Sequence, residues 1–194
     1  ELVWQGRAAS IRVQTATGWA AEAAQAGIDD AIAASADIAV VAIPGAEGRP
    51  RGPRFGSLVH AVLAIVPLEA DEAVVRRTAE VQARLLSPPA PAAEVVAAVT
   101  VVRAVLAHEL MARARASSRL RRETPVTWTQ RDGTLIEGVL DLAFDEDGQT
   151  TVVDFKTDHE LSAGEARYRA QLQKYVDAVA AATGRPARGV LFKV

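Results

Sequence analysis

Apolar and polar positions along the chain change period twice. Residues 56–66 (GSLVHAVLAIV) show a helical apolar face, with Ser57 as a candidate N-cap. Residues 71–86 repeat that period behind Asp71, again a capping residue. Prolines in SPPAP at 87–91 then break the chain. Residues 92–117 carry Val95, Val96, Val99, Val102, Leu106 and Leu110 at helical spacing, which predicts one long helix. After it the period drops to two. Residues 123–129, 134–144 and 150–156 alternate as strands, residues 165–182 return to a helix ended by Gly184 and Pro186, and 188–194 form a last strand. This order predicts an α/β (α+β) fold: a mixed central sheet whose three-strand meander is flanked by helices.

Residues 1–50 are patterned more weakly. A strand is expected at 11–17, an alanine-rich helix at 18–34 and a buried strand at 38–43 (IAVVAI). The Gly- and Pro-rich stretch 44–53 reads as a linker, which places a boundary between a segment 1–50 and a domain 51–194. The chain opens on Glu1, not Met, as expected of a piece of a longer protein.

Composition narrows the chemistry. None of the 194 residues is a cysteine, which removes disulfides, thiolate metal sites and thiol catalysis, and agrees with a reducing cytoplasm. No apolar run is long enough to span a bilayer, so no membrane role is expected. The net charge of −2 is unevenly spread. Residues 103–131 balance at +5, whereas 132–160 carry nine acids and the single base Lys156. Either these are two solvated faces, or they frame a site that holds cations and a polyanion together.

The sharpest local signal is Asp147-Gly148, a two-residue hairpin turn flanked by alternating strands. Pairing about that turn sets Asp141 opposite Asp154, and Lys156 shares their face. The alternate positions Ile136, Leu140, Leu142, Phe144, Val153 and Phe155 form the apolar face. Two opposed carboxylates repel, and a hard divalent cation such as Mg²⁺ or Mn²⁺ relieves the repulsion. The residues alone also allow a surface hairpin in which Lys156 simply neutralises Asp154.

Gly138-Val139-Leu140-Asp141 followed by Asp154-Phe155-Lys156-Thr157 resembles the PD-(D/E)XK nuclease superfamily, in particular the RecB-type nuclease domain of bacterial helicase–nucleases. Three further motifs stand in the family's order: Gly56-x-x-x-His60, Glu123-x-Pro125 and Gln171-x-x-x-Tyr175. The resemblance covers about residues 51–194 and implies a restriction-endonuclease-like core. It implies that His60, Asp141, Asp154 and the carbonyl of Phe155 hold Mg²⁺, with Mn²⁺ as a substitute. Asp141, Asp154 and Lys156 would be catalytic, and Gln171, Tyr175 and Glu123 would contact DNA or support the site.

It further implies a metal-dependent DNA exonuclease that serves double-strand-break repair and recombination in the bacterial cytoplasm. Its partners would be DNA ends or single strands and a helicase portion of the same parent chain or complex. No phosphate-binding G-x-x-x-x-G-K-[ST] loop occurs, so these residues are not the motor. Arg51, Arg54, Arg119, Arg121 and Arg122 are candidate phosphate contacts. Trp128 is expected to pack on the sheet, and His108 and His159 to lie at the surface or boundary. Two other readings stay open: a catalytically silent nuclease-like module that binds DNA or acts as a scaffold, and a structure-selective endonuclease.

Overall fold

A computed structural model describes residues 11–25, 38–43, 49–130 and 132–194, with the backbone alone at 23–25, 158–160, 162 and 163. Part of the helix expected at 18–34, half of the linker (44–48) and the side chain of His159 therefore lie outside the described residues. The described chain runs β1 (Val13–Thr15), α1 (Ala16–Gln25), β2 (Ile38–Ala42), α2 (Pro53–Ile65), α3 (Glu72–Leu85), α4 (Ala92–Ala107) and α5 (Glu109–Ala116). It continues through β3 (Leu120–Thr129), β4 (Leu135–Glu146), β5 (Gln149–Lys156), α6 (Asp158–Thr183) and β6 (Ala187–Lys193). The result is the mixed α/β architecture expected from the sequence, with helices on both faces of a six-stranded mixed sheet.

Local chemistry fixes the helix ends. Asp71 caps α3 as its position suggests, accepting a hydrogen bond from the Val74 amide at 2.8 Å. Helix α2 starts earlier than expected: Gly52 is its N-cap and Pro53 its first residue, where a missing N–H costs nothing, so Ser57 lies inside the helix. The single helix expected at 92–117 is two helices that meet at a 62° bend. His108 makes the break. Its backbone is extended, its Nδ1 accepts from the Leu110 amide at 3.1 Å to cap α5, and its ring packs against Phe192. An imidazole is an uncommon cap, so hydrophobic spacing alone ran through it. No single helix among the described residues is long and apolar enough to cross a membrane.

The sheet crosses the boundary expected at residue 50. Strand β2 runs parallel to β6 at one edge of the sheet, and β1 runs parallel to β4, so residues from the first segment are part of the sheet. In the middle, the Asp147-Gly148 turn forms with both residues at positive φ (47° and 79°), and β4 pairs antiparallel with β5 from Glu146–Gln149 to Leu142–Val153. That is the register inferred from the turn.

One sequence inference about this hairpin is corrected. Strict alternation would put Ile136, Leu140, Leu142 and Phe144 on one face. Instead Leu142, Phe144, Val153 and Phe155 pack with α2–α5, while Ile136 and Leu140 join the core under α6. The switch falls at Asp141. Across the sheet, β3 pairs Arg122 with Leu142 and Thr124 with Leu140 but leaves Glu123, opposite Asp141, out of the ladder at φ 46°. A non-glycine residue in that region costs on the order of 1–3 kcal/mol and kinks a strand locally, which explains the change of face.

Candidate active site

The site lies where β4 changes neighbours. On one flank, β4 pairs with β1 up to Glu137 and with β5 only from Leu142, so Gly138–Asp141 fall in the gap between them. A cleft of about 480 Å³ opens there. Asp141, Asp154, Lys156, Gln171 and Tyr175 line it, so five of the residues singled out in the sequence converge. The β4–β5 ladder stops one pair short of the aspartates. In place of a further bridge, the Asp141 carboxylate accepts the Phe155 amide at 2.8 Å. The two carboxylates are therefore neighbours across splayed strands, not a ladder pair.

Burial and charge then set the protonation of each group. Asp154 is 5% exposed. Its burial, with the Asp141 charge added, pushes its carboxyl up to about 6 against the pull of Lys156. Burial acts on Asp141 in the same direction, but there His60, Lys156 and the Phe155 amide outweigh it and leave that carboxyl below the ordinary range. His60, on α2, places Nδ1 3.7 Å from Asp141 Oδ1. Burial lowers its proton affinity, yet the adjacent carboxylates win and raise it. Glu123 is raised by burial and by the Asp141 charge, which puts it in the same electrostatic neighbourhood.

Lys156 is buried with Asp154. Its ammonium sits 2.7 Å from Asp154 Oδ2 and donates to the Phe155 carbonyl at 3.1 Å. The neutralising pair allowed by the residues thus exists, but inside a cleft and not on a surface hairpin. Asp154 Oδ2 is buried and accepts no well-aligned hydrogen bond among the described residues. Among those residues no three His, Cys, Asp or Glu side chains are placed to hold a metal ion together. The donor chemistry nevertheless suits a hard divalent cation. The Asp141 and Asp154 carboxylates, the Phe155 carbonyl and the His60 imidazole are such donors, and Asp154 and the Phe155 carbonyl already share a cation, the Lys156 ammonium.

Helix α6 supplies the other wall. Gln171 Nε2 donates to the Tyr175 hydroxyl at 3.0 Å, and both side chains are buried. Tyr175 lies directly over Gly138: a Cβ there would meet the phenol at 2.6 Å and the Ala16 Cβ at 3.0 Å. The strand therefore needs glycine where the motif has it. Trp128 packs edge-on against Tyr175, the sheet-packing role expected of it.

Sequence reasoning missed a third wall. Thr15, Ala16 and Thr17, at the β1–α1 junction, line the cleft. A strand is present at 13–15 within the stretch expected at 11–17, but its place beside β4, set by parallel pairing, has no local signal. Tyr168, three residues before Gln171 on the helix face that the resemblance sets beside the site, is there as well, and its ring lies beside Lys156.

Three of the five arginines expected on phosphates, Arg54, Arg121 and Arg122, have partners within the protein. Arg54 forms a forked pair with Glu94, and Arg121 pairs with Asp145 at 3.2 Å. Arg122 donates to the Val66 carbonyl at 2.7 Å and to that of Leu63, so it closes the C-terminal end of α2. Neither Arg121 nor Arg122 lines the cleft. Much of the uneven charge is likewise internal. Arg113 and Arg188 converge on Glu146 and hold its carboxyl at about 2.

These contacts give a prediction. Arg122→Ala removes two charge-assisted hydrogen bonds to carbonyls and should lower unfolding stability by about 2 kcal/mol in urea titrations. The salt slope of DNA binding should stay as in the wild type. A flattened slope with unchanged stability would return Arg122 to the phosphate role.

No curated protein matches the chain. The family model of the PD-(D/E)XK nuclease superfamily matches residues 39–194, spanning the buried Asp154–Lys156 pair, Asp141, His60 and the six elements from α2 to β4 as well as β5, α6 and β6. With its restriction-endonuclease-like mixed sheet, and with Asp141, Asp154, Lys156, Gln171 and Tyr175 lining one cleft, the chain belongs to the PD-(D/E)XK nuclease superfamily.

Proposed function

We propose that the cleft hydrolyses DNA phosphodiesters with a divalent cation, Mg²⁺ or Mn²⁺, and that the protein acts as an exonuclease within a helicase–nuclease that processes double-strand breaks. The observation that carries the hydrolytic part is the meeting of Asp141, Asp154 and Lys156 in one cleft beside the buried Gln171–Tyr175 pair. Asp141, Asp154, the Phe155 carbonyl and His60 would hold the cation. When bound, it lowers the pKa of water and neutralises charge on a phosphate.

The chain's own groups do the rest. The Asp141 carboxylate is kept ionised by His60 and the Phe155 amide, ready to hold positive charge. Lys156 is a point charge fixed at the cleft surface, able to orient a water and to meet the charge that develops on phosphate oxygens. Tyr175 and Gln171 fix the wall against which a strand would lie. The exonuclease, helicase and repair assignments rest on the resemblance of the five motifs.

Incubation with linear, closed circular and single-stranded DNA, in Mg²⁺ or EDTA, tests the reading. It expects cleavage in Mg²⁺, none in EDTA, and a requirement for ends. Circles cut as fast as linear DNA would replace the exonuclease with an endonuclease. DNA binding without any cleavage in Mg²⁺ or Mn²⁺ would favour the silent module.

A further inference from the structure

Lys156 has a partner that is neither a carboxylate nor a carbonyl. Its ammonium lies 5.0 Å from the centre of the Tyr168 ring, within cation–π range. Tyr168 is 8% exposed, on the α6 face that also carries Gln171 and Tyr175. The ring is itself anchored: Arg167 donates to the Tyr168 hydroxyl at 2.8 Å, with its guanidinium carbon 4.7 Å from the ring centre.

The consequence lies in which partners are shared. Asp154 and the Phe155 carbonyl are polar contacts of the lysine, and both are among the groups expected to hold a cation. The Tyr168 ring is not. We infer that Tyr168 is a positioning residue for the catalytic lysine: its ring face keeps the Lys156 ammonium at the cleft when Asp154 and the Phe155 carbonyl turn to a metal ion. This rests on the reading of Lys156 as catalytic. A planar ring suits the task, since it attracts an ammonium without competing for the metal as an oxygen ligand would.

Two variants and one spectroscopic readout test it. Tyr168→Phe keeps the ring and loses the Arg167 hydrogen bond; Tyr168→Leu keeps an apolar side chain and loses the ring face. Only three lysines occur, Lys156, Lys174 and Lys193, so their ε-methylene NMR signals can be assigned with Lys174→Arg and Lys193→Arg. The Lys156 signal should be ring-shifted upfield in the wild type and in Tyr168→Phe, should stay so when Mg²⁺ is added, and should lose the shift in Tyr168→Leu.

In Mg²⁺, Tyr168→Leu should lower kcat by about tenfold, with KM for DNA and the Mg²⁺-induced rise in Tm unchanged, and Tyr168→Phe should restore most of the rate. A Lys156 signal that loses its shift on Mg²⁺ addition, or a Tyr168→Leu variant with wild-type kcat beside an inactive Lys156→Met, would overturn the inference. If Lys156→Met cleaves like the wild type, the functional reading fails instead, and the positioning role falls with it.

Discussion

Asp154→Asn should abolish metal-dependent cleavage and the thermal stabilisation by Mg²⁺, yet leave the metal-free fold at least as stable near neutral pH. The expectation follows from the carboxyl's burial beside Asp141, which lifts its folded-state value to about 6 from 3.8. At pH 7 the carboxyl is still mostly ionised, but its charge is held at a cost that the unfolded chain does not bear, and a neutral amide of the same shape removes that cost. Lys156 keeps the Phe155 carbonyl, the Tyr168 ring and the nearby Asp141 charge, so it is not stranded.

A folded-state value above the unfolded one means that the folded protein takes up the proton first. Metal-free wild type should therefore gain stability relative to Asp154→Asn as pH falls from about 7 to about 4, and the gain should be complete below the unfolded value. A cation that binds only the folded state adds about 2.7 kcal/mol at 100 times Kd, on the order of 5–10 °C in Tm for a domain of this size. Melting curves of both proteins, with EDTA or Mg²⁺ across that pH range, check all three statements. Strong destabilisation of metal-free Asp154→Asn, with no metal response in the wild type, would make the pair structural.

Lys156→Met should act in the opposite sense on the metal-free fold. Removing the ammonium leaves Asp141 and Asp154 as neighbours with His60 as the remaining basic group beside Asp141 among the described residues, and losing one member of a buried pair is costly. Protonation of Asp154 softens the loss, so a decrease of about 1–3 kcal/mol is expected. The Mg²⁺-induced rise in Tm should then exceed that of the wild type, because the cation replaces the missing charge. Cleavage should fall by roughly 10²–10⁴-fold, since no other cation lines the cleft among the described residues. A variant that binds Mg²⁺ no better than the wild type and still cleaves would deny Lys156 both roles.

The parts of the fold legible in the sequence are those with short-range physical signals. Asp147-Gly148 admits one tight turn, and that turn alone fixed the β4–β5 register and the facing of Asp154 and Lys156. Asp71 could be read as a cap because its carboxylate acts three residues away. Features that depend on distant partners were hidden. His108 breaks a helical pattern through a cap and a ring contact with Phe192, far along the chain. The hydrogen bonds of Arg122 run to helix carbonyls 56 and 59 residues away, which no local pattern signals.

The site shows the same division. Its motif residues were visible through spacing, but the change of face at Asp141 depends on the backbone of Glu123 across the sheet. The wall at Thr15–Thr17 depends on a three-residue parallel pairing that no local pattern encodes.

The central claim is that Asp141 and Asp154 hold a divalent cation in this cleft, and paramagnetic broadening by Mn²⁺ tests it most directly. Trace Mn²⁺ added to ¹⁵N-labelled protein should first erase the amide signals of Asp141, Asp154 and Phe155, and Mg²⁺ should restore them. In Asp154→Asn the same Mn²⁺ level should leave them intact. Broadening that begins instead at Asp145 and Glu146, or that is unchanged by Asp154→Asn, would contradict the claim.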